Sequence, residues 1–271
     1  MEKIEIKKIQ NKFLLKDKIA LVTGATGHLG RQIAIGLASY GAHVLINSRS
    51  KDKAAEIKNI ITNEGFSATE AIFDITKIDE IKKFFSNYKN KINVLINNAY
   101  QGTKAGRIET SSDLDYEKSY KTSVIASHNI LTSSLTSLRK AVSTDGEASV
   151  INISSMYGLV SPDPSIYTSI DDVNPSFYGA AKAAQIQFTK YAAIEFGKEN
   201  IRVNSITPGP FPSYEVQKKD PGLIKNLNKK VPLGRIGSPE EIIGPIIFLS
   251  SSASSFVNGA NITVDGGWTA W

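Results

Sequence analysis

The 271-residue chain contains no cysteine and only three histidines, His28, His43 and His128. A chain without thiols cannot form disulfides, a cysteine-ligated zinc site or a cysteine nucleophile. The three histidines are widely separated, so we expect no metal site. The sequence also lacks long apolar runs: stretches such as Ile242–Leu249 fall far short of the roughly 20 residues that a membrane-spanning helix needs. These absences predict a soluble, cytoplasmic protein without a membrane segment.

Positive charge is present but is not concentrated in one patch. The formal net charge is +6, and the first 18 residues contain six lysines and three acidic residues. The rest of the chain has no basic cluster with interleaved aromatic residues, so we expect no nucleic-acid partner. The leader has no apolar core and no Ala-x-Ala site, which argues against a secretion signal. We expect residues 1–13 to form a basic arm and residues 14–271 to form one domain.

Short apolar runs recur along the chain with helical patterns between them. Several of them show no polar–apolar alternation, which is typical of strands buried on both faces. The predicted strands are Ile19–Val22, Val44–Ile46, Ala71–Phe73, Val94–Ile96, Val150–Ile153, Ile201–Ile206 and Ile262–Val264. Ile33, Ala34, Leu37 and Ala38 mark one face of a helix after the first strand. This alternation predicts an α/β protein, with a single doubly wound parallel sheet of about seven strands.

A glycine-rich turn, Gly24–Gly30, connects the first strand to the first helix. Small residues let the backbone approach a pyrophosphate, and the start of the helix offers free N–H groups with a partial positive charge. The competing interpretation is an ordinary turn, because glycine serves many turns. The position in an α/β chain favours dinucleotide binding. The predicted cofactor contacts in the turn are Gly24, Thr26, Gly27, His28, Leu29 and Gly30.

The residue after the second strand predicts which dinucleotide is bound. An NAD site usually places an acidic residue there for the ribose 2′-hydroxyl, whereas an arginine accommodates a 2′-phosphate. The chain has Asn47-Ser48-Arg49 and no acid. A guanidinium can bind a phosphate with two parallel hydrogen bonds. Arg49 therefore favours NADP(H) over NAD(H); the alternative is that Arg49 is a solvated surface charge.

Tyr178 and Lys182 are four positions apart, which places a phenol and an ammonium on one face of a helix. A free tyrosine has a pKa near 10 and needs help to exchange its proton at neutral pH. A lysine within about 4–6 Å, together with an oxidised nicotinamide, favours the phenolate. The spacing is common by chance, and the alternative is a rim tyrosine beside a lysine that extends into solvent.

Seven motifs occur in one order along the chain, and they resemble the short-chain dehydrogenase/reductase family over residues 14–271. They are Thr23–Gly30, Phe73–Thr76, Asn97–Ala99, Ile151–Ser155, Tyr178–Lys182, Pro208-Gly209 and Val264–Gly267. The resemblance implies a Rossmann fold, a nicotinamide cofactor and hydride transfer between a carbonyl and an alcohol carbon. It also implies that the helices around Asp113–Leu138 and Tyr178–Phe196 pair between subunits, giving a homodimer or homotetramer.

The resemblance assigns roles to individual residues. It implies that Tyr178 is the general acid/base, that Lys182 is its electrostatic partner and ribose anchor, and that Ser155 polarises the substrate oxygen, with Ser154 structural. The remaining cofactor contacts that it implies are Asp74 and Ile75 at the adenine, Asn98 and Ala99 along the cleft, Pro208 and Gly209 beside the nicotinamide, and Ser213 at the carboxamide.

The chain also departs from the family pattern. Its glycine spacing is that of the extended members, Tyr100 replaces a customary glycine, and Ser123 aligns with an active-site asparagine. Ser155 and Tyr178 are 23 positions apart, more than is usual in the family. We call the intervening residues 156–177 the insertion. Its Asp and Tyr content suits a hydroxylated substrate such as a sugar; a plain surface insertion is the alternative. A weaker resemblance is to flagellin-modification and surface-polysaccharide reductases.

These features predict an NAD(P)(H)-dependent oxidoreductase acting on a small polar carbonyl or alcohol, with NADP(H) and a sugar-like substrate favoured. Two other functions remain open from the residues. A cofactor-binding regulator without turnover would account for Ser123 and the altered glycine spacing. Epimerase or dehydratase chemistry on a nucleotide sugar would account for the extended-type glycines.

Overall fold

A computed structural model describes residues 11–102 and 106–270 of the protein. Most of the predicted arm, residues 1–10, lies outside the described residues, and Asn11–Phe13 forms one turn of 3-10 helix. The division of the chain at residue 13 therefore stays a prediction.

The described residues form one parallel sheet of seven strands in the order β3-β2-β1-β4-β5-β6-β7. The strands are β1 (Ile19–Val22), β2 (His43–Ser48), β3 (Ala68–Ile72), β4 (Val94–Asn97), β5 (Ala148–Ile153), β6 (Ile201–Pro208) and β7 (Asn261–Val264). Every neighbouring pair is parallel. The predicted fold class, a single doubly wound α/β domain, is confirmed.

Helices cover both faces of the sheet. They are α1 (His28–Ser39), α2 (Lys51–Asn63), α3 (Ile78–Asn87), α4 (Asp113–Tyr120), α5 (Ala126–Asp145), α6 (Ser176–Phe196), α7 (Tyr214–Lys219), α8 (Pro221–Lys230) and α9 (Ile243–Ser250). A π-helical turn, Lys121–Ile125, joins α4 to α5. Within the described ranges, no helix has both the length and the apolar character needed to cross a bilayer.

Alternate side chains of each central strand pack into different cores, because successive residues of a strand point to opposite faces. Ala20 and Val22 of β1 pack with apolar residues of α1, α2 and α9, whereas Leu21 packs with residues of α3, α5 and α6. The predicted buried face of α1 is confirmed. Burial on both faces explains why a strand such as β1 is apolar throughout.

The edge strand β3 is the least accurately predicted element. It spans Ala68–Ile72 rather than Ala71–Phe73. Glu70 is partly exposed and Thr69 and Ile72 are exposed, because β3 lies at the edge of the sheet with β2 as its one neighbouring strand. An apolar run is therefore a poor guide to its bounds, whereas it located the fully buried β1 to the residue.

The strand order reverses between β1 and β4, and this reversal positions the site. The connections that leave these two strands go in opposite directions, which opens a crevice at the carboxyl ends of the strands. The glycine-rich turn follows β1, and Asn98 follows β4. Both therefore meet at the crevice where ligands bind in folds of this type.

Candidate active site

The glycine-rich turn is packed too tightly for any side chain at two positions. Gly24 has a φ of +61°, and a Cβ there would lie 2.9 Å from the Cα of Ala99. At Gly30, a Cβ would lie 2.1 Å from the carbonyl oxygen of Gly24. The first conformation favours glycine, and the second contact permits no larger residue. The two glycines thus serve the close approach of α1 to the turn after β1.

Buried polar side chains hold this turn against the end of β4. The Thr23 hydroxyl accepts hydrogen bonds from the backbone N–H groups of Asn98 at 2.9 Å and Ala99 at 3.1 Å. The Asn98 side-chain amide donates to the Thr23 carbonyl at 2.9 Å. On the other side, the Gly24 N–H donates to Asn47 Oδ1 at 3.3 Å. Sequence reasoning missed Thr23 and Asn47, although a polar residue at the end of a buried strand is a usable signal.

The start of α1 fits a pyrophosphate. Its N-cap residue, Gly27, supplies no side-chain acceptor, so the N–H groups of the first turn are not satisfied by a capping side chain. Gly27, His28 and Leu29 line the cavity described below. Free N–H groups at the positive end of a helix are suited to bind an anion.

Arg49 lies at the far end of the cavity and is exposed. Throughout residues 11–102 and 106–270, no carboxylate lies within 4.0 Å of its guanidinium, so it is available to an anion. Lys53, which sequence reasoning missed, lines the same end from the first turn of α2. Burial tends to raise the pKa of Asp74, but hydrogen bonds from Thr76 and the charges of Arg49 and Lys77 hold it below its ordinary value.

The three predicted catalytic side chains come together from two elements. Ser155 lies just after β5, whereas Tyr178 and Lys182 lie on the first two turns of α6. All three line one cavity. The neighbouring Ser154 hydroxyl donates to the Lys182 carbonyl at 2.9 Å, which ties β5 to α6 and agrees with its expected structural role.

Burial displaces the pKa values of Tyr178 and Lys182 in opposite directions. It raises the pKa of Tyr178 to about 12, although a hydrogen bond with Ser155 acts to lower it. It lowers the pKa of Lys182 from 10.5 to about 7. Both changes follow from the cost of holding a charge away from water. The phenol pKa therefore moves opposite to the direction expected from the lysine, because burial dominates and the nearby Tyr100 phenol also acts to raise it.

The Lys182 amine is enclosed by polar and aromatic groups. Its Nζ donates to the carbonyl oxygen of Ile153 at 2.8 Å and to Oε1 of Gln185 at 3.2 Å. It also lies 5.2 Å from the ring centroid of Tyr100 and 5.9 Å from that of Tyr178, within the range of cation–π attraction. The two rings pack edge to face at 5.0 Å. Tyr100 therefore contacts both Tyr178 and Lys182.

Ser123, which aligns with the family's asparagine, lies in the π turn and is fully buried. Among the described residues, its hydroxyl has no hydrogen-bond partner. Its carbonyl oxygen accepts from the Ser127 hydroxyl at 2.6 Å and from Nε2 of Gln185 at 3.4 Å. Gln185 was missed by sequence reasoning, although its position three residues after Lys182 predicts a shared helix face.

The glycine-rich turn, Ser155, Tyr178 and Lys182 line a cavity of about 580 Å³. The cofactor residues predicted from the sequence that line it are Gly24, Thr26, Gly27, His28, Leu29, Gly30, Arg49, Asp74, Ile75, Asn98, Ala99, Pro208 and Gly209. Ser213 is not among its lining residues. Its hydroxyl caps α7 by accepting from the Val216 N–H at 3.4 Å. Phe211, which was not predicted, lines the cavity instead.

The insertion is anchored to the rest of the domain. Met156 and Ile166 are buried in a small core with Leu227 of α8 and Trp268. The Asp163 carboxylate also accepts from Lys230 of α8 at 2.6 Å. This packing argues against the alternative of a plain surface loop. The insertion contacts α8, and α8 follows the cavity residues Pro208 and Gly209 in the chain.

The fold and this cavity define a nicotinamide-dependent oxidoreductase of the Rossmann type. Residues 24–269 match the family model described as enoyl-(acyl carrier protein) reductase, and the chain belongs to the short-chain dehydrogenase/reductase family. It is 32% identical over 263 residues to gluconate 5-dehydrogenase of Gluconobacter oxydans, covering 95% of this chain and 96% of the relative. It is 31% identical over 269 residues to 7alpha-hydroxysteroid dehydrogenase of Bacteroides fragilis, covering 94% and 95%.

A solved structure shares the whole fold. The crystal structure of a gluconate 5-dehydrogenase from Burkholderia cenocepacia J2315, in complex with NADP and tartrate, matches with a TM-score of 0.85 and 28% identity, covering 96% of this chain and 98% of that one. The protein is an NAD(P)-dependent oxidoreductase that interconverts a carbonyl and an alcohol. These relatives favour neither a regulator without turnover nor an epimerase or dehydratase. Within the described residues, no group of three or more His, Asp or Glu could hold a metal ion.

Proposed function

We propose that Ser155, Tyr178 and Lys182 carry out this reaction and that NADP(H) is the preferred coenzyme. The observation that carries the proposal is that these side chains, from two segments of the chain, line the same cavity as the glycine-rich turn. Nothing in the packing of the sheet requires a buried amine beside a phenol. Since a buried charge is costly, such a pair is expected where chemistry requires it.

The chemistry of each side chain follows from its surroundings. A bound nicotinamide coenzyme supplies or accepts the hydride, and its oxidised ring adds positive charge beside the phenol. In reduction, Tyr178 donates its proton to the substrate oxygen, and the Ser155 hydroxyl stabilises the charge that develops on that oxygen. In oxidation, Tyr178 accepts the proton. When the Lys182 amine is protonated, its charge stabilises the phenolate form of Tyr178.

The preference for NADP(H) rests on the charges at the far end of the cavity. Arg49 and Lys53 both line the cavity, and within the described residues no carboxylate lies within 4.0 Å of the Arg49 guanidinium. A 2′-phosphate would provide a partner for both cations. The relative solved with NADP agrees with this preference. Thermal-shift titration with NAD⁺ and with NADP⁺ tests it, and a larger stabilisation by NAD⁺ would overturn it.

The proposed substrate is a polyhydroxylated, sugar-like carbonyl compound or alcohol. Two relatives are gluconate 5-dehydrogenases, and the insertion brings the hydroxyl groups of Tyr157 and Tyr167 together at 2.9 Å close to Tyr178. A panel of keto-sugars, sugar acids, steroids and simple diketones, assayed by NADPH oxidation, tests this proposal. Turnover of steroids alone would contradict it.

The proposal includes a homodimer or homotetramer acting in the cytoplasm. Tyr191 and Ile194 on α6 are 69% and 83% exposed, and Leu114 and Ile125 near α4 are also exposed. Burying such apolar side chains against a second copy would stabilise an assembly. Sedimentation of the Ile194→Glu variant, with Lys190→Glu as the control on the same helix, tests the assembly. The location stays a prediction.

Tyr178→Phe tests the catalytic assignment, because it removes only the hydroxyl. We expect turnover to be lost while the dissociation constant for NADPH changes only a few-fold. Tyr40→Phe is the matched control, since Tyr40 is exposed and does not line the cavity. Full activity of Tyr178→Phe would overturn the proposal.

A further inference from the structure

The Lys182 amine has two fixed acceptors behind it. A lysine ammonium carries three N–H donors, and two of them are directed to the Ile153 carbonyl oxygen and to Oε1 of Gln185. Lys182 also lines the cavity. Two donors held by the protein leave one for the cavity, so the two acceptors set the direction of the third.

The side chain of Gln185 is itself held at its other end. It is 2% exposed, and its Nε2 donates to the Ser127 hydroxyl at 3.0 Å and to the Ser123 carbonyl oxygen at 3.4 Å. The reversed amide would point its oxygen at that carbonyl and its N–H groups at the amine. Hydrogen bonding at both ends therefore sets one orientation of the amide.

No carboxylate supports the charge of Lys182 in the part of the chain that the structure describes, since none lies within 4.0 Å of its amine. The titratable groups that face the amine are the phenols of Tyr178 and Tyr100. The polar partners of the ammonium are thus a backbone carbonyl and the Gln185 amide. A hydrogen bond that is made to the charged form of a group favours that form.

We infer that Gln185 is a positioning residue for the reaction: it connects the Lys182 amine to the π turn at Ser123, and it favours the protonated amine beside Tyr178. This connection runs through the Ser123 carbonyl oxygen, and the Ser123 hydroxyl takes no part in it. This inference rests on the proposed role of Lys182. It assigns the position three residues after the lysine a function that the family motif does not include.

The test uses two near-isosteric variants with opposite expected effects. Gln185→Met removes the acceptor, so the pKa of Lys182 falls further below its value in the natural protein; Gln185→Glu replaces the acceptor with a carboxylate, so that pKa rises. Without coenzyme, the free energy of unfolding increases with pH above the native pKa of this lysine. We expect the increase to begin at lower pH in Gln185→Met and at higher pH in Gln185→Glu.

Activity and coenzyme binding provide a second readout. In Gln185→Met, we expect kcat/KM at pH 8 to fall about tenfold, the order of one hydrogen bond to a charged group. The alkaline limb of the pH profile should move to lower pH, and NADPH should bind several-fold more weakly. Gln185→Glu should move the limb to higher pH. Gln187→Met, an exposed residue of the same helix, is the control.

Ser127→Ala is the milder variant and serves if Gln185→Met does not fold. It should shift both profiles in the same direction as Gln185→Met but less, and should add no shift in the Gln185→Met background. Shifts of the two Gln185 variants in one direction, or no shift in either, would overturn the inference. Full activity of Lys182→Ala would instead overturn the proposed role of the lysine, so the two failures are distinguishable.

Discussion

The two halves of the cavity are built by different means. In the coenzyme half, the backbone itself forms the surface, and Gly24 and Gly30 permit the close approach of α1 to the β1 and β4 ends. In the catalytic half, side chains from separate elements form the surface, including Ser155, Tyr178 and Lys182. The first half depends on the absence of side chains at a few neighbouring positions. The second depends on hydrogen bonds between residues far apart in the chain.

The charges of the two halves also differ. Arg49 is exposed, and within the described residues no carboxylate lies within 4.0 Å of its guanidinium, although its charge acts on Asp74. Its charge therefore costs little and can serve a ligand. Lys182 is 3% exposed, and burial lowers its pKa to about 7. Holding this amine costs stability that the fold must offset elsewhere. The coenzyme half therefore resembles a preformed surface, whereas the catalytic half carries a cost for function.

The largest expected effect is that of Gly30→Ala, which should break the coenzyme half. The new Cβ would lie 2.1 Å from the Gly24 carbonyl oxygen, so the turn and α1 must separate. We expect a loss of about 3 kcal/mol in the free energy of unfolding and no measurable NADPH binding. Urea unfolding and fluorescence titration measure the two effects. Gly244→Ala is the control, because a Cβ there meets nothing within 4 Å; equal behaviour of the two variants would contradict the packing argument.

Lys182→Met should show how much stability the protein loses by burying the Lys182 amine. The pKa of Lys182 is lowered from 10.5 to about 7, so the unfolded chain holds more protons between these pH values. The cost of the buried amine is complete below pH 7 and disappears as pH rises toward 10.5. We expect the variant to be more stable than the natural protein by a few kcal/mol at pH 6, with the gain shrinking toward pH 10. Urea unfolding at both pH values measures this.

The matched control for that prediction is Lys190→Met, since Lys190 is exposed on the same helix. Its stability should follow that of the natural protein at both pH values. A Lys182→Met variant without any gain at pH 6 would show that the hydrogen bonds to Ile153 and Gln185 offset the burial cost completely.

Arg49→Ala should weaken the binding of one coenzyme selectively, which tests the difference in charge between the two halves of the cavity. Loss of a charge-assisted contact with a 2′-phosphate should weaken NADP⁺ binding about tenfold or more and leave NAD⁺ binding nearly unchanged. Isothermal titration with each coenzyme measures both constants. Arg31→Ala is the control, because Arg31 is exposed and its guanidinium lies 3.9 Å from Glu56. An equal loss for both coenzymes would assign Arg49 a general electrostatic role.

The smallest expected effect is that of Lys230→Ala, which removes the ion pair between α8 and the insertion. Hydrogen bonds from Lys230 and Ser165 lower the pKa of Asp163 to about 2, so the pair persists throughout the neutral range. Because the pair is partly exposed, the melting temperature should fall by at most about 2 °C. The KM for the substrate should rise several-fold without a change in NADPH affinity. Lys229→Ala is the neighbouring exposed control; a similar rise in KM there would contradict a specific role.

Prediction from the sequence was most successful where burial was complete. The apolar run at Ile19–Val22 matches β1 residue for residue, and the buried face of α1 was found because its period is that of a helix. The prediction for the edge strand β3 was displaced because this strand is partly exposed, so its apolar residues do not mark its bounds.

In the candidate site, too, residues with a local sequence motif were predicted, whereas contacts between distant segments were not. Motif positions placed Ser155, Tyr178 and Lys182, and these residues share one cavity. Ser213 is the exception, because the loop after β6 places it as a helix cap outside that cavity. The contact between Gln185 and Ser127 spans 58 positions in the chain, so no local pattern could reveal it.

Local patterns were therefore enough to predict the parallel sheet and the glycine-rich turn, because burial period, helix spacing and backbone sterics act over a few residues. The reacting groups were assigned through the family resemblance, and their roles stay a proposal. The ionisation of those groups was not accessible in this way. The raised pKa of Tyr178 and the lowered pKa of Lys182 come from how completely other segments exclude water. Only the packed fold brings those segments together, and desolvation depends on all of them at once.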